Sequence, residues 1–280
     1  MRRRAFFPAR HNWVGCLSLA LALAASGARA ADPEAPRVWE FDLGAGVTYG
    51  PNYLGASAAS SRMRIWADGA YRTSTLGTFA LDSGSLTIAP QARWDFVDTT
   101  DLGIGALVGY RTGRNDRNPG FASATDGASR LSGLPNVADC IDAGASAHVT
   151  VGVPLFVQLR SATHGSQGTI VILGAYLPTR PDTGLELTIL PTITWIDGRQ
   201  MRAMFGVSAS TTETSAFPPY NPGGGWQDAS IEVVGDWHVS GNWHLTVSFA
   251  YQRLLASAAR SPLVQTANQP SALVGVLFAF

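Results

Sequence analysis

Residues 39–49, WEFDLGAGVTY, carry the pattern that decides the fold. One parity is apolar throughout and consists of Trp39, Phe41, Leu43, Ala45, Val47 and Tyr49. The intervening positions are acidic residues, glycine or threonine. Such strict alternation indicates a β-strand, because successive side chains of a strand point to opposite faces. The stretch therefore predicts a strand with one apolar and one polar face.

Further segments repeat this alternation along the chain, namely 61–72, 75–82, 85–97, 102–111, 141–151, 154–163, 168–177, 184–196, 200–209, 229–239, 242–252 and 271–280. Short turn sequences separate several of them, namely Ser83-Gly84, Val153-Pro154, Asp197-Gly198 and Ser240-Gly241-Asn242. Most segments match the ~9 to 11 residues that a tilted strand needs to cross a bilayer. Pro90 and Pro191 fall inside predicted strands and remove ladder donors, so we expect bulges there.

Two architectures produce such alternation: a soluble sandwich with its apolar faces packed together, and a membrane barrel with its apolar face against lipid. The charged residues of the predicted strands all lie on the parity opposite the apolar one. They are Glu40, Asp42, Arg62, Arg64, Asp68, Asp82, Arg93, Asp95, Arg111, Asp142, Arg160, Glu186, Arg202, Glu232 and Asp236. A charge at the lipid midplane costs about 2 to 4 kcal/mol, so this one-sided placement favours the barrel.

Aromatic residues supply a second argument. Those on the apolar parity lie mostly near segment ends, namely Trp39, Tyr49, Trp94, Tyr110, Trp195, Trp237, Trp243, Tyr251 and Phe280. Membrane interfaces attract amphipathic rings, whereas a dry core would hold large rings centrally. The last ten residues, SALVGVLFAF, alternate to a terminal phenylalanine and resemble the carboxy-terminal strand by which bacterial outer-membrane barrels are recognised for assembly. We therefore predict an all-β fold, a transmembrane antiparallel β-barrel.

Three connections are long and rich in small and polar residues: 113–140, 210–228 and 255–270. They are typical of extracellular loops. Bacterial barrels have an even number of strands with both chain ends in the periplasm, so thirteen segments are one too many. If all three long loops are extracellular, the extra predicted strand must lie between residues 141 and 280. We predict about 12 strands.

Residues 1–30 have the features of a cleaved signal peptide, followed by the barrel domain at 31–280. Arginines dominate the first ten residues, an apolar run spans 13–25, and Ala28-Arg29-Ala30 supplies the small residues that a signal peptidase recognises. The run is too short to span a bilayer. Together with the barrel, the leader predicts a location in the outer membrane of a Gram-negative bacterium.

Composition excludes several classes of protein. All 20 basic residues are arginine, balanced by 20 acidic residues, so the chain offers no basic face for nucleic acid. After the leader, no window of ~18 apolar residues predicts a membrane-spanning helix. The two cysteines, Cys16 and Cys140, lack metal-ligand spacing, and Cys16 leaves with the leader.

The chain resembles the MipA/OmpV family of outer-membrane proteins from about residue 39 to 280. The resemblance rests on these features in order: Gly44 and Gly46, Pro51-Asn52-Tyr53-Leu54-Gly55, Tyr110-Arg111-Thr112-Gly113-Arg114, Phe205-Gly206-Val207-Ser208, Tyr220, Gly223-Gly224 and Ser261-Pro262-Leu263-Val264. Two departures are Asp142, where relatives tend to have a glutamate nearby, and Ala258-Ala259-Arg260, where acidic residues are usual.

The resemblance implies a non-enzymatic scaffold that holds a murein-degrading lytic transglycosylase near a peptidoglycan synthase. Other family members are porin-like, stress-responsive surface proteins, so a small-solute channel or a surface protein is the alternative. The expected partners are outer-membrane lipid and the two murein enzymes, with no cofactor.

Histidines are the main candidates for chemistry, and they support a third hypothesis, an outer-membrane hydrolase. His148 beside Ser146, or His238 beside Ser240, suggests a base and a nucleophile, but neighbours on one strand form a catalytic triad poorly. His238 and His244, with Asp236, flank a tight turn and suggest a metal site. We favour ordinary hydrogen-bonded lumen histidines, because functional sites require convergent geometry. The sequence therefore predicts no catalytic, cofactor-binding or metal site.

The inward charges admit two interpretations, a selectivity ring or a salt-bridge network that fills a narrow lumen, and we favour the network. The loop at 210–228 contains Phe217-Pro218-Pro219-Tyr220, which suggests either a partner-binding surface or a surface lid.

Overall fold

The computed structural model describes residues 39–114, 130–179, 184–211 and 214–280. The predicted leader, residues 1–30, lies outside the described residues, and so do residues 31–38 of the predicted barrel domain. Most of the described chain is extended, as the alternation predicts.

The strands in chain order are β1 (Trp39–Pro51), β2 (Ala59–Thr73), β3 (Gly77–Asp82), β4 (Gln91–Asp98), β5 (Leu102–Arg111), β6 (Cys140–Val151), β7 (Val153–Ala162), β8 (Thr169–Ala175), β9 (Leu177–Thr179), β10 (Leu185–Ile196), β11 (Gly225–Ser240), β12 (Trp243–Leu254) and β13 (Asn268–Ala279). The helices are α1 (Gly198–Phe205) and α2 (Ala256–Ala259), and a 3-10 helix spans Ala209–Thr211. No helix in the described ranges has the length and apolar character needed to cross a membrane.

All strands belong to one antiparallel sheet that closes on itself. Strands adjacent in sequence pair with each other, except β8 and β9, and β13 pairs with β1 to close the ring. β8 and β9 follow one another along the same edge of β10, so the wall is a closed barrel of 12 strands. The predicted barrel and its strand number are confirmed.

Pro191 lies where the wall is interrupted rather than at a bulge. β10 pairs with β8 from Thr192 onward and with β9 up to Ile189, in one continuous register. The partner strand thus breaks opposite the proline, which has no N–H to give to a ladder. The predicted bulge at Pro191 is not observed, and the register shift in β10 lies between Thr194 and Trp195.

The apolar parity faces outward, as a membrane barrel requires. Exposed aliphatic side chains on the barrel exterior include Leu43, Val47, Ile104, Val108, Leu155, Val157, Leu159, Val247, Val274 and Val276. Charged side chains on the opposite parity are buried inside, among them Asp68, Asp95, Asp142, Arg160 and Glu232. A sandwich would bury the aliphatic face instead. The sandwich alternative is therefore wrong.

The predicted aromatic girdle is present on the exterior. Its exposed members are Trp39, Tyr49, Trp94, Tyr110, Trp237, Trp243, Tyr251 and Phe280. Most lie near the two ends of their strands, where a bilayer has its polar interfaces, whereas Trp94 is in the middle of β4.

Trp66 is an aromatic residue that the girdle pattern does not anticipate. Its ring is buried inside the barrel against Leu273 and Leu277. It lies over Gly44 and Gly275, where an added Cβ would come within 2.0 and 2.3 Å of the indole, respectively. The two glycines therefore make room for a large ring in the lumen.

We predict that Gly44→Ala destabilises the barrel by about 1 to 3 kcal/mol, because the methyl group overlaps the Trp66 ring. Gly225→Ala is the matched control, since no atom lies within 4 Å of a Cβ at that strand position. Urea unfolding in lipid vesicles measures both. Equal stability of the two variants would contradict the prediction, because it would show that the Trp66 ring does not need the space that Gly44 leaves.

Three sequence predictions at the loops are wrong in detail. Residues 200–209, predicted as a strand, lie mainly in α1, whose amino terminus is capped by Asp197 accepting the Gln200 N–H at 2.7 Å. Residues 85–90 belong to a loop, because the strand begins only at Gln91. The β6–β7 turn is centred on Gly152, with φ +74°, one residue before Val153-Pro154.

The helix at 198–205 also explains the strand count. One of the thirteen predicted strands, at 200–209, is helical, and it lies between residues 141 and 280, where the excess strand was predicted. All three long connections now emerge at the same end of the barrel, as expected. We call this the loop end and the opposite end, with its short connections such as 74–76, 99–101 and 241–242, the turn end. Short turns of bacterial barrels face the periplasm and long loops face outside.

Apolar clusters cap the loop end. One joins α1 to the wall through Ile196, Met201, Phe205, Leu254 and Ala258. A second consists of Leu131, Leu134, Val207, Phe217 and Leu263. Phe217 is buried there, and the Tyr220 hydroxyl donates to the Ser257 carbonyl at 2.7 Å. The Phe217–Tyr220 segment is therefore part of a lid.

We predict that Val276→Arg, in the middle of β13, costs about 2 to 4 kcal/mol of folding free energy because it places a cation against hydrocarbon. Val153→Arg, next to the β6–β7 turn, should cost about 0 to 1 kcal/mol, since it lies at the interface. Reversible urea unfolding in vesicles gives both values. A similar cost at both positions would contradict the assigned membrane position.

Candidate functional site: a loop across the lumen

Residues 83–90, which join β3 to β4, fold into the barrel instead of over its rim. We call them the inward loop. The loop leaves β3 through Gly84, whose φ of +78° is in the left-handed region that glycine adopts without strain. The Asp82 carboxylate accepts the Gly84 N–H at 2.7 Å, which fixes the turn into the lumen.

Glu232 on β11 holds the tip of the inward loop. One carboxylate oxygen accepts the Leu86 N–H at 3.1 Å and the Ser248 hydroxyl at 2.6 Å. The other accepts the Thr87 N–H at 3.2 Å and the Thr87 hydroxyl at 2.9 Å. Glu232 is buried, so these bonds compensate the loss of hydration of its charge. β11 is six strands from β4 in the ring of 12, so the loop reaches the opposite wall.

Residues of β2 hold the base of the inward loop. The Arg64 guanidinium donates to the carbonyls of Ser83 at 2.9 Å and Ser85 at 3.2 Å, and also to that of Gly84. The buried Asp68 carboxylate accepts the Ser83 N–H. The carbonyls and N–H groups that a strand would pair are thus satisfied by charged side chains.

Apolar residues of the inward loop fill the remaining lumen at this level. Leu86 packs beside Trp66 and Leu273, whereas Ile88 packs into the cluster that contains Phe156 and Leu190. Beneath the loop, the lumen contains a cavity of about 40 Å³, whose lining includes Glu232 and Leu190. This volume has room for only a few water molecules. The inward loop therefore crosses the lumen of the described barrel and obstructs it at this level.

A larger cavity lies between the inward loop and the lid. We call it the vestibule, and its volume is about 730 Å³. Its charged lining consists of Arg62, Arg64, Arg111, Arg114, Arg160 and Asp139. A lumen cavity of this size falls within the range of ligand pockets.

Two of these arginines share one acid. Arg111 donates to Asp142, with the Arg111 Nε to Asp142 Oδ2 distance at 3.1 Å, and the Arg160 Nε lies 3.3 Å from the same carboxylate oxygen. All three side chains are buried. The predicted salt-bridge network is therefore present here, but it carries an excess positive charge.

Arg114 lies outside the membrane-spanning strands, at the loop-end rim of the vestibule. It donates to the Met204 carbonyl at 2.8 Å. Burial lowers the pKa of Arg114 to about 10, against an opposing effect of Tyr53. The side chain therefore remains a cation at neutral pH.

The histidines are separated rather than gathered into one site. His148 faces the lumen over Gly103, and the Ser146 hydroxyl is buried with no hydrogen-bond partner in the described part of the chain, so it does not bond His148. At the turn end, the His244 Nδ1 lies 2.5 Å from Asp236 Oδ1, and the His238 and His244 rings are 5.3 Å apart. Within the described ranges, no three potential ligands form a metal-binding group.

The sequence contained only partial signals for the inward loop. Its Leu86 and Ile88 continue the alternation of a strand, which is why the segment was expected in the wall. Pro90 and Gly84 were the contrary signals, because both residues commonly interrupt strands. Glu232 was correctly predicted to face inward, but its role as the acceptor for the loop depends on tertiary contact.

The closed sheet, apolar exterior and charged interior define an outer-membrane β-barrel of a Gram-negative bacterium. Among solved structures, the NanC porin covers 85% of this chain and 98% of its own at 8% identity, with a TM-score of 0.43. An outer membrane channel from Pseudomonas putida F1 is 9% identical, with coverage of 89% and 100% and a TM-score of 0.39. No curated protein matches.

A family model described as MltA-interacting protein MipA matches residues 43–280. The chain belongs to this family, which confirms the resemblance inferred from the sequence. The match covers nearly all of the described barrel, including the inward loop and the vestibule.

We predict that Glu232→Ala releases the tip of the inward loop. Hydrogen bonds to a charged acceptor contribute about 1.5 to 3 kcal/mol each, so their loss should speed amide exchange at Leu86 and Thr87 at least about tenfold. Glu40→Ala is the control, because Glu40 pairs with Arg72 away from the loop. Exchange that rises equally throughout the barrel would indicate general destabilisation instead.

Proposed function

We propose that the protein is a non-enzymatic outer-membrane scaffold that binds a murein-degrading lytic transglycosylase and holds it near a peptidoglycan synthase. The observation that carries the proposal is the inward loop, which is hydrogen-bonded to opposite walls and obstructs the described lumen. An obstructed lumen favours a role in holding other proteins over a role in conduction. The family's description as MltA-interacting protein supports the choice of partner.

The partner docks at the turn end. Murein lies in the periplasm, and the turn end is the part of the barrel that the periplasm reaches. Gly152 lies at this end with φ +74° and has no atom within 4 Å of an added Cβ. Gly165, at the loop end, has φ +78° and the same open surroundings. The two glycines therefore offer matched positions for a blocking insertion.

Immobilised processed protein should retain a purified lytic transglycosylase of the MltA type. A short epitope inserted at Gly152 should lower the retained amount at least about tenfold, which corresponds to about 1.4 kcal/mol of binding free energy. The same epitope at Gly165 should leave retention unchanged, because it projects from the opposite end. Retention that is absent, or equally sensitive to both insertions, would contradict the proposal.

The vestibule supports a second candidate, a small-solute channel. Its arginine lining would attract anions, and the inward loop lies between it and the small cavity lined by Glu232 and Leu190. Conduction therefore requires displacement of the loop.

The two candidates differ in planar-bilayer conductance. A closed scaffold should show no steady conductance, whereas Glu232→Ala should open a pathway by freeing the loop. Glu40→Ala serves again as control and should remain closed. Steady conductance of the unaltered protein would favour the channel instead.

A further inference from the structure

The inward loop leaves a break in the barrel wall. β2 pairs with β3 only over Gly69–Thr73, because β3 ends at Asp82 and the chain then enters the lumen. β4 begins at Gln91. On this side, residues 59–66 of β2 consequently face no strand in the ranges that the structure describes. We call the break between this stretch and β5 the lateral opening.

Along the lateral opening, the backbone of β2 pairs with no other strand that the structure describes. The Ala67 N–H donates to the Ser83 hydroxyl at 2.7 Å, and that hydroxyl donates back to the Ala67 carbonyl, which caps the ladder. Because the direction of backbone N–H and C=O groups alternates along a strand, those of Ile65, Met63 and Ser61 point to the same side as those of Ala67, towards the opening. A sheet edge of this kind does not face hydrocarbon unless it lines a water-filled space.

Side-chain exposure agrees with a missing neighbour. Met63 is 77% exposed and Ile65 is 74% exposed. Val47 and Val276, outward residues whose strands are paired on both sides, are 46% and 49% exposed. The extra exposure of Met63 and Ile65 therefore arises from the absent strand on one flank.

The lateral opening lies at the depth of the hydrocarbon. Tyr49, an aromatic residue near the loop end of β1, is directly opposite Ser61. Met63 and Ile65 lie below this level, opposite Val47 and Ala45. Because Tyr and Trp mark the interface, lipid tails of the outer leaflet reach the rim of the opening.

The lateral opening connects with the vestibule. It forms a cavity of about 500 Å³ whose rim includes Ile65, Pro90 and Tyr110. Arg64 and Thr87 line both this cavity and the vestibule. An entrance with both apolar residues, such as Ile65 and Pro90, and polar residues, such as Ser85 and Thr87, thus leads to an arginine-lined chamber.

Among the described residues, five arginines and one acid line the vestibule, and Arg64 alone of the five lies close to Asp68 and Glu232. The single acid in this lining, Asp139, already accepts the Tyr110 hydroxyl and the Gly113 N–H. Asp142 serves both Arg111 and Arg160. The Nη1 of Arg111 is buried without a hydrogen-bond partner among the described residues. Guanidinium groups in such a setting favour an anionic ligand.

We propose that the vestibule binds an anionic single-chain amphiphile from the outer leaflet, with its head group on the arginines and its hydrocarbon chain passing through the lateral opening. The apolar residues of the rim, Ile65, Leu86 and Pro90, match the hydrocarbon chain, and the arginines of the vestibule match the head group. This binding site is independent of the proposed scaffold role, which uses the turn end.

A photoreactive analogue of hexadecanoate, with a diazirine near the chain terminus, tests the proposal. The full processed protein is reconstituted in phosphatidylcholine vesicles, labelled, and mapped by mass spectrometry. Label should concentrate on residues 59–66 and 83–90. Uniform labelling of exposed residues around the barrel would overturn the proposal.

Ile65→Trp should lower labelling of residues 83–90 about tenfold, because the indole fills the opening. Val276→Trp is the matched control, since it adds the same ring to a fully paired part of the wall, and it should have no effect. Both variants must keep the heat-modifiable gel mobility of a folded barrel. Equal labelling of the two variants would overturn the proposed route.

Competition distinguishes the sources of binding. Unlabelled hexadecanoate should displace the probe, whereas hexadecanol and inorganic phosphate should not, because each lacks half of the recognised chemistry. Equal displacement by hexadecanol would overturn the role of the arginines, and equal displacement by phosphate would overturn that of the chain. Arg62→Gln should weaken competition about fivefold, and the exposed Arg199→Gln should not.

Discussion

The pairing of backbone N–H and C=O groups within hydrocarbon is the constraint on which the rest of this structure depends. Lipid offers no hydrogen bonds, so a sheet that crosses a membrane must close on itself. Here β13 pairs with β1 and β10 with β11, and the ring of 12 strands has no free edge over most of its circumference. The wall departs from this rule at two places, opposite Pro191 and beside β2, where backbone pairing is interrupted.

The paired charges of the interior follow from the closure of a narrow ring of strands. Charges excluded from the lipid face must pair inside, and the pairing also organises the chain that crosses the lumen. Arg64, Asp68 and Glu232 bond the backbone of residues 83–90, so the inward loop replaces strand partners with side-chain partners. The same path of the chain obstructs the lumen, leaves the vestibule above the loop, and leaves residues 59–66 of β2 without a described neighbour on one side. One departure of the chain from the wall thus determines the scaffold proposal and the proposed binding of an amphiphile.

Errors of sequence-based prediction occurred where a pattern is compatible with two environments. In 200–209, Met201 and Phe205 satisfy both the two-residue period of a strand and the four-residue spacing of a helix face, and a cap at Asp197 decides for α1. In 85–90, Leu86 and Ile88 alternate as lipid-facing residues would, yet their apolar surroundings are other lumen residues. The alternation shows only that one face of the segment contacts an apolar environment. It does not show whether that environment is lipid or the protein interior.

Local chemistry in the sequence determined the barrel, its strand number, its lipid face and its girdle. These properties depend on side-chain period and on the cost of charge in hydrocarbon, which each strand meets by itself. Only the tertiary structure decided that residues 83–90 cross to Glu232, that Trp66 lies over Gly44, and that the wall opens beside Ile65. Each of these depends on residues distant in sequence meeting across the lumen, and no local pattern encodes such a meeting.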